Sequence, residues 1–302
     1  MYEMTRFLII DGNSICFRAA SAKNPYQEEL KNSKGKITGG VYRFVNLFNK
    51  ACELVRPTHI VVGFDTSRHT FRHDIDPQYK ANRYTNPDSN KEEIYSQFDD
   101  MKAFLDCLGV KHDNKYLFEG DDMVGSYSNI SEADRTFILS GDKDIFQLIN
   151  NSTSVIFPIK GISEIKVYNK QVFKERFNIN VEQFIDYKSL FGDAGDNIKG
   201  IDGCGEKTAA KLLNKFGTIE NILDNLDTDA KDIRGWKKLR TKLSDWDYEK
   251  TRKLVTIRKD VPIKYSFDDC KKKLNWDNVI PLFEEFEFAS YIKKINQGKF
   301  YK

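Results

Sequence analysis

Cysteine and histidine are scarce, five and four among 302 residues. The cysteines, Cys16, Cys52, Cys107, Cys204 and Cys270, are odd in number and widely spaced, and no pair has the spacing of a zinc site or a dithiol redox motif. They read as reduced, mostly buried thiols of an intracellular protein. A long hydrophobic run is also missing. The early apolar stretch "FLII" at 7–10 stops at Asp11, too short for a signal peptide or a membrane span. A soluble, cytoplasmic protein is expected. Nor does one sign of charge prevail, since 48 basic and 45 acidic residues leave a formal net charge of +3. The imbalance is local. From residue 231 onward 19 residues are basic and 11 acidic, whereas the rest is slightly acidic. That distribution suits an anionic partner such as nucleic acid.

An apolar content of 40% is enough for a real core. "RFLIID", "HIVVGFD" and "TFILSGDKD" read as buried strands. Between the first two, Val41, Phe44, Val45, Phe48 and Cys52 fall at helical spacing, and "FDDMKAFLDCLGV" and "DDMVGSYSNI" follow as further helices. Strands alternating with helices predict an α/β fold, a mostly parallel sheet flanked by helices. Residues 67–90 differ, being polar, basic and aromatic without a clear apolar stripe, and read as a functional loop. A break near 152–161 precedes a mainly helical remainder. The expected organisation is an α/β body over 1–165 and a helical region over 166–302.

Three expected strands end in acids: Asp11, Asp65, and Asp142 with Asp144. Glu119, Asp121 and Asp122 follow the short run "YLF" and open a helix, and Asp193 and Asp196 stand at i, i+3. In an open parallel sheet ligands bind at the carboxyl ends of the strands, so these acids are expected to converge there. Crowded carboxylates repel unless cations intervene. Oxygen ligands without His or Cys select Mg²⁺ or Mn²⁺, and a pair of such ions suits in-line displacement at phosphorus.

"GDAGDNIKGIDGCGEKTAAKLL" at 192–213 adds a second element. Gly200, Gly203 and Gly205 permit close backbone approach, and from Lys207 an amphipathic helix follows with Ala209, Leu212, Leu213 and Phe216 on one face. The free amides of its N-terminus, with Lys207 and Thr208, form an expected phosphate site. Helix, glycine hairpin and helix together grip a nucleic-acid backbone without reading its sequence.

These blocks, with "IIDGNSICFRA", "PTHIVVGFD", "TFRHDIDPQYKANR", "EGDDMVG" and "SGDKDIFQL", resemble the flap endonuclease and 5′-to-3′ exonuclease family over nearly the whole chain. The likeness is to the 5′-nuclease domain of bacterial DNA polymerase I and to stand-alone bacterial and phage relatives. The resemblance implies two Mg²⁺ or Mn²⁺ ions. Asp11, Asp65, Glu119 and Asp121 would hold the first and Asp142, Asp144, Asp193 and Asp196 the second, with Asp122 between the two sites. Lys80 and Arg83 would reach the scissile phosphate from the base of a helical arch at about 66–96, through which a single-stranded 5′ end passes. Tyr79 and Arg72 are expected on the DNA side of that arch. The hairpin matches a helix–three-turn–helix motif at about 184–217, implying K⁺ held by backbone carbonyls and duplex contacts from Lys199, Gly203, Gly205, Lys207 and Thr208.

Implied partners are branched or 5′-ended duplex DNA and RNA–DNA primers, with a DNA polymerase or single-strand-binding protein as a further candidate, for a monomeric enzyme. Cys204, Lys199 and Gly120 depart from the family's usual aliphatic residue, Pro and Ala. Two rivals stand beside this reading. A small-molecule phosphatase would want a second acid two residues after Asp11, where Asn13 stands. A non-catalytic DNA clamp would not need its carboxylates kept.

Overall fold

The computed structural model describes residues 4–22, 29–83, 91–160, 164–229, 239, 241–242 and 246–301. Its centre is the apolar run "FLII", which forms β1 (Arg6–Asp11) and is wholly buried because both faces of the strand are covered. The other strands are β2 (His59–Phe64), β3 (Lys111–Asn114), β4 (Arg135–Leu139), β5 (Thr153–Lys160) and β6 (Glu164–Tyr168). They make one six-stranded sheet of order β3-β2-β1-β4-β5-β6, parallel except for the final β5–β6 pair.

Side-chain alternation along β1 divides the core in two. Leu8 and Ile10 face α1 (Gly12–Ser21), α2 (Gly39–Val55) and α5 (Phe98–Leu108). Phe7 and Ile9 face α6 (Gly120–Asn129) and, beyond it, the helices of the second region. The five apolar residues expected on one face of α2 are all buried there.

Two expectations need correction, and one strand was not foreseen: the polar stretch Lys111–Asn114 precedes the short run "YLF", in which Tyr116 is exposed. The expected break at 152–161 is instead β5, and its partner β6 carries the sheet past residue 165. The region after 166 is also not separate throughout. Trp276, Phe283, Phe288 and Tyr291 return to the α1–α2 side of the sheet, where Phe283 stacks on Phe104 of α5. Between these limits the chain is helical: α7 (Lys170–Phe177), α8 (Phe184–Phe191), α9 (Glu206–Phe216), α10 (Ile219–Asp229) and a helix at Tyr248–Val255. α8 packs on both α9 and Tyr248–Val255.

Candidate active site

The carboxyl ends of β1, β2 and β4 and the N-terminus of α6 meet at one edge of the sheet. Asp11 caps α1 by accepting from Ser14 N (3.1 Å) and also accepts from Ser140 Oγ after β4 (2.6 Å). Asp65 is held from two sides. Asn13 Nδ2 donates to its carboxylate at 2.8 Å, while its own amide donates to Asn13 Oδ1 at 3.0 Å. The amide of Gly120 also donates to Asp65, and a Cβ on Gly120 would stand 3.0 Å from Asp65 Oδ1. Glycine at this departure from the family pattern lets β2 and α6 close on each other.

Asp144 stands at the head of a 3₁₀ turn, Asp144–Leu148, and its amide donates to Asp142 Oδ1 (2.9 Å). Burial pushes the Asp11 carboxyl up to about 7, helped by Asp142 and Asp65. Burial likewise takes Asp144 up to about 7 against the pull of Lys188. Asp121 is raised well above the usual carboxylate range by burial and then by Asp11 and Asp142.

Built-in cations answer part of this charge. Lys188 of α8, almost buried, lies 2.7 Å from Asp144 Oδ1 and 2.5 Å from Asp193 Oδ2. It therefore joins the 3₁₀ turn to the short hairpin Gly192–Asp193 and Ile198–Lys199. Lys80 donates to Glu119 Oε2 (2.8 Å) and lies 3.7 Å from Asp196 Oδ2. Burial alone would raise Glu119, but Lys80 and Arg72 hold it below its ordinary value. Arg83, half exposed, pairs with Asp196.

The segment bearing Lys80 and Arg83 is stitched onto the turn 194–197. Lys80 N donates to Asp196 O (2.8 Å), Asn82 Nδ2 to Ala194 O (2.8 Å), and Asn197 Nδ2 to Gln78 O (2.7 Å). Lys80 adopts a positive φ of 54°, which aims its side chain back under the chain at Glu119.

Among the described residues no three acidic, His or Cys side chains are already closed around a metal position. Oxygens of Glu119, Asp122, Asp144, Asp193 and Asp196 point instead at lysine and arginine. Two observations fit divalent cations here. Asp121 has no hydrogen-bond or ion-pair partner for its side chain among the described residues, and Asp144 Oδ1 is buried beside Lys188 without an aligned hydrogen bond. Oxygen donors of this kind suit Mg²⁺ or Mn²⁺.

Asp122 does not fit that role. It is fully buried, and its oxygens accept from Arg72 Nη1 (2.7 Å) and Nη2 (2.8 Å), from Glu119 N and from Arg258 N. The placement of Arg72 on the DNA side is corrected for the same reason, since its side chain is 3% exposed. Tyr79 is buried too, its hydroxyl donating to Glu119 (3.2 Å) and Asp196 (3.3 Å). Nor does the segment from 67 lack a core. The helix α3 (Phe71–Ile75) and Tyr79 pack with Ile198, Leu254 and Val255. Residues 84–90 of the expected arch lie outside the described residues.

At the other end of the site the glycine hairpin is tight. A Cβ on Gly200 would stand 2.4 Å from Gly192 N, and Gly203 takes φ +86°. Gly205 caps α9, which begins at Glu206, so Lys207 and Thr208 lie in its first turn. Lys199, Gly203, Gly205 and Lys207 are exposed and Thr208 is half-buried. Sequence reading missed Lys188. The one signal was a lysine in a helix that also carries the apolar, buried Phe184, Tyr187 and Leu190.

The chain is similar to known proteins along most of its length. The family model for the 5′-3′ exonuclease N-terminal resolvase-like domain matches residues 6–178, and that for the 5′-3′ exonuclease C-terminal SAM fold matches 179–277. The chain is 33% identical to DNA polymerase I of Bacillus subtilis over 302 residues, 98% of this chain and 33% of that protein. It is 34% identical to DNA polymerase I of Bacillus caldotenax over 294 residues, 96% of this chain and 32% of that protein. It thus spans about a third of the length of these relatives.

Among solved structures, the 5′-exonuclease of bacteriophage T5 with bound zinc shares the fold at TM-score 0.66 and 22% identity, covering 94% of this chain and 99% of that one. The catalytic core of Rad2 in complex with a DNA substrate shares it at TM-score 0.58 and 15% identity, covering 97% and 91%. With both family models matched in order, the chain belongs to the 5′-3′ exonuclease family.

Proposed function

We propose that this chain is a divalent-metal-dependent phosphodiesterase acting on 5′ ends. It would cut 5′ flaps near the junction of single strand and duplex, and degrade DNA, or RNA annealed to DNA, from the 5′ end. The observation that carries this reading is the incomplete neutralisation at the sheet edge. Carboxylates from three parts of the chain, Glu119, Asp144 and the 193–196 turn, are gathered around the half-buried Lys80 and the buried Lys188, yet Asp121 and Asp144 Oδ1 are left without full partners.

Asp11, Asp65, Glu119 and Asp121 would hold one Mg²⁺ or Mn²⁺, and Asp142, Asp144, Asp193 and Asp196 another. When bound, such ions supply Lewis-acid stabilisation of charge at phosphorus and a nucleophile at neutral pH. Lys80 and Arg83, carried on one short segment, would take the scissile phosphate between them and hold its charge as the bond breaks. Tyr79 and Asp196 fix where Lys80 can reach, through the contacts at its ring and backbone.

Lys199, Lys207, Thr208 and the glycines at 203 and 205 would hold duplex phosphates away from the cut, where backbone amides at the start of α9 face outward. A K⁺ ion on the hairpin carbonyls is proposed with them. A polymerase or a single-strand-binding protein is the proposed protein partner, for a monomer. Among the described residues no helix is long and apolar enough to cross a membrane, and a bacterial or phage-infected cytoplasm is the proposed compartment.

The test is a 5′-flap duplex labelled at either end, incubated with Mg²⁺ or with EDTA. Release of the intact flap in Mg²⁺ alone is expected. Mononucleotides alone would shift the reading to an exonuclease, and binding without cutting would support a clamp instead.

A further inference from the structure

Five consecutive residues, 254–258, hang on three side chains of the α/β body. Arg72 Nε donates to Leu254 O and Arg72 Nη2 to Thr256 O, both at 2.9 Å. Gln147 Nε2 donates to Val255 O (3.1 Å), and Gln147 Oε1 accepts from Ile257 N (2.9 Å). Asp122 Oδ1 accepts from Arg258 N (2.9 Å). No strand pairing serves this stretch, so these side chains satisfy backbone groups that would otherwise lose water unpaid by any bond.

The position of each anchor matters. Asp122 follows Asp121 in α6, and its neighbour Glu119 caps the same helix. Gln147 lies in the 3₁₀ turn that Asp144 opens. Arg72 sits in α3, eight residues before Lys80. On its other side the segment continues the helix Tyr248–Val255, which packs on α8, the carrier of Lys188 and the approach to Asp193. One strip of chain thus touches the elements that carry Glu119 and Asp121, Asp144 and, through α8, the approach to Asp193.

Arg72 makes most of the joint. Its planar fork binds both oxygens of Asp122 and two carbonyls of the strip at once, which a lysine cannot do. We infer that Arg72 is a positioning residue for the reaction, tying α3 and α6 to segment 254–258 and so fixing the spacing between the Glu119–Asp121 carboxylates and the Asp193–Asp196 turn. The inference rests on the nuclease reading and gives Arg72 a role away from DNA.

The test compares wild type, Arg72→Lys and Gln147→Leu on a 5′-flap duplex. Single-turnover cutting is measured in Mg²⁺, and binding is measured in EDTA over a range of salt. For Arg72→Lys the cutting rate should fall about 100-fold, the scale expected for a misplaced reacting group. Its Kd should stay within about twofold with an unchanged salt slope, whereas a lost phosphate contact would make the slope shallower by about 0.9.

Gln147→Leu loosens the same strip without removing a charge, and its rate should fall about tenfold with the same intact binding. It decides the matter if Arg72→Lys does not fold. Weakened binding with a shallower slope and an unchanged cutting rate would overturn the inference, as would variants that cut like a competent wild type. A wild type that does not cut overturns the nuclease reading and the role of Arg72 with it.

Discussion

Two buried cation–carboxylate arrangements lie in this site, and they differ in completeness. Around Arg72 and Asp122 every oxygen and most guanidinium donors are engaged, in a bidentate pair at 2.7 and 2.8 Å braced by backbone groups. Around Lys188 one cation faces two carboxylates, and Asp144 Oδ1 is left without an aligned bond. Burial and like charge push Asp144 up to about 7. The first arrangement is finished without a ligand and belongs to the architecture. The second is unfinished, and a divalent ion would complete it. On the proposed reading, charged residues in one cleft separate into scaffold and reaction centre by whether their partners are all present.

That contrast can be broken from either side. Asp122→Ala would leave the buried Arg72 charge with Glu119, 3.7 Å away, as its nearest carboxylate. A loss of about 3–5 kcal/mol is expected, read from urea unfolding. An unfolding midpoint equal to wild type would show the pair to be dispensable. Asp144→Asn should act in the opposite direction on stability. In EDTA at neutral pH the amide removes a charge that folding makes costly, so the protein should gain about 1 kcal/mol while losing its cutting activity. A destabilised Asp144→Asn would mean that Lys188 already satisfies the site.

The smallest effect belongs to the periphery. Lys207→Ala, at the exposed start of α9, should weaken flap-duplex binding regardless of sequence and lower the salt slope by about 1, with little change in the rate at saturating enzyme. A changed rate with unchanged binding would move Lys207 toward the chemistry.

How far the molecule was legible in its sequence follows from the same contrast. "FLII" and "HIVVGF" announced themselves because strands buried on both faces must be continuously apolar. The acids at their ends stood out because nothing polar precedes them. β3, "KHDN", left no such mark, since three of its four residues are exposed or half-buried at the sheet's edge. β5 and β6 read as a break because β6 alternates exposed and half-buried residues and β5 carries Pro158 at an irregular register.

The segment from 67 looked coreless because much of what it buries is polar. Arg72 and Tyr79 read as surface or DNA-facing residues, yet both are buried on carboxylates brought from far along the chain. Lys188 was hidden for the same reason. A single sequence shows a charge but not its partner, and here the partners, Asp144 and Asp193, come from a 3₁₀ turn and a hairpin that only the fold brings together.

The most direct test of the account is single-turnover cutting of a 5′-flap duplex by wild type and Asp144→Ala in Mg²⁺, with DNA affinity measured alongside in EDTA. A fall of about 1,000-fold in rate with Kd within about twofold is predicted, the scale of losing a group that acts only in the transition state. An Asp144→Ala protein that cuts at the wild-type rate would contradict the assignment of the unfinished cluster as the reaction centre.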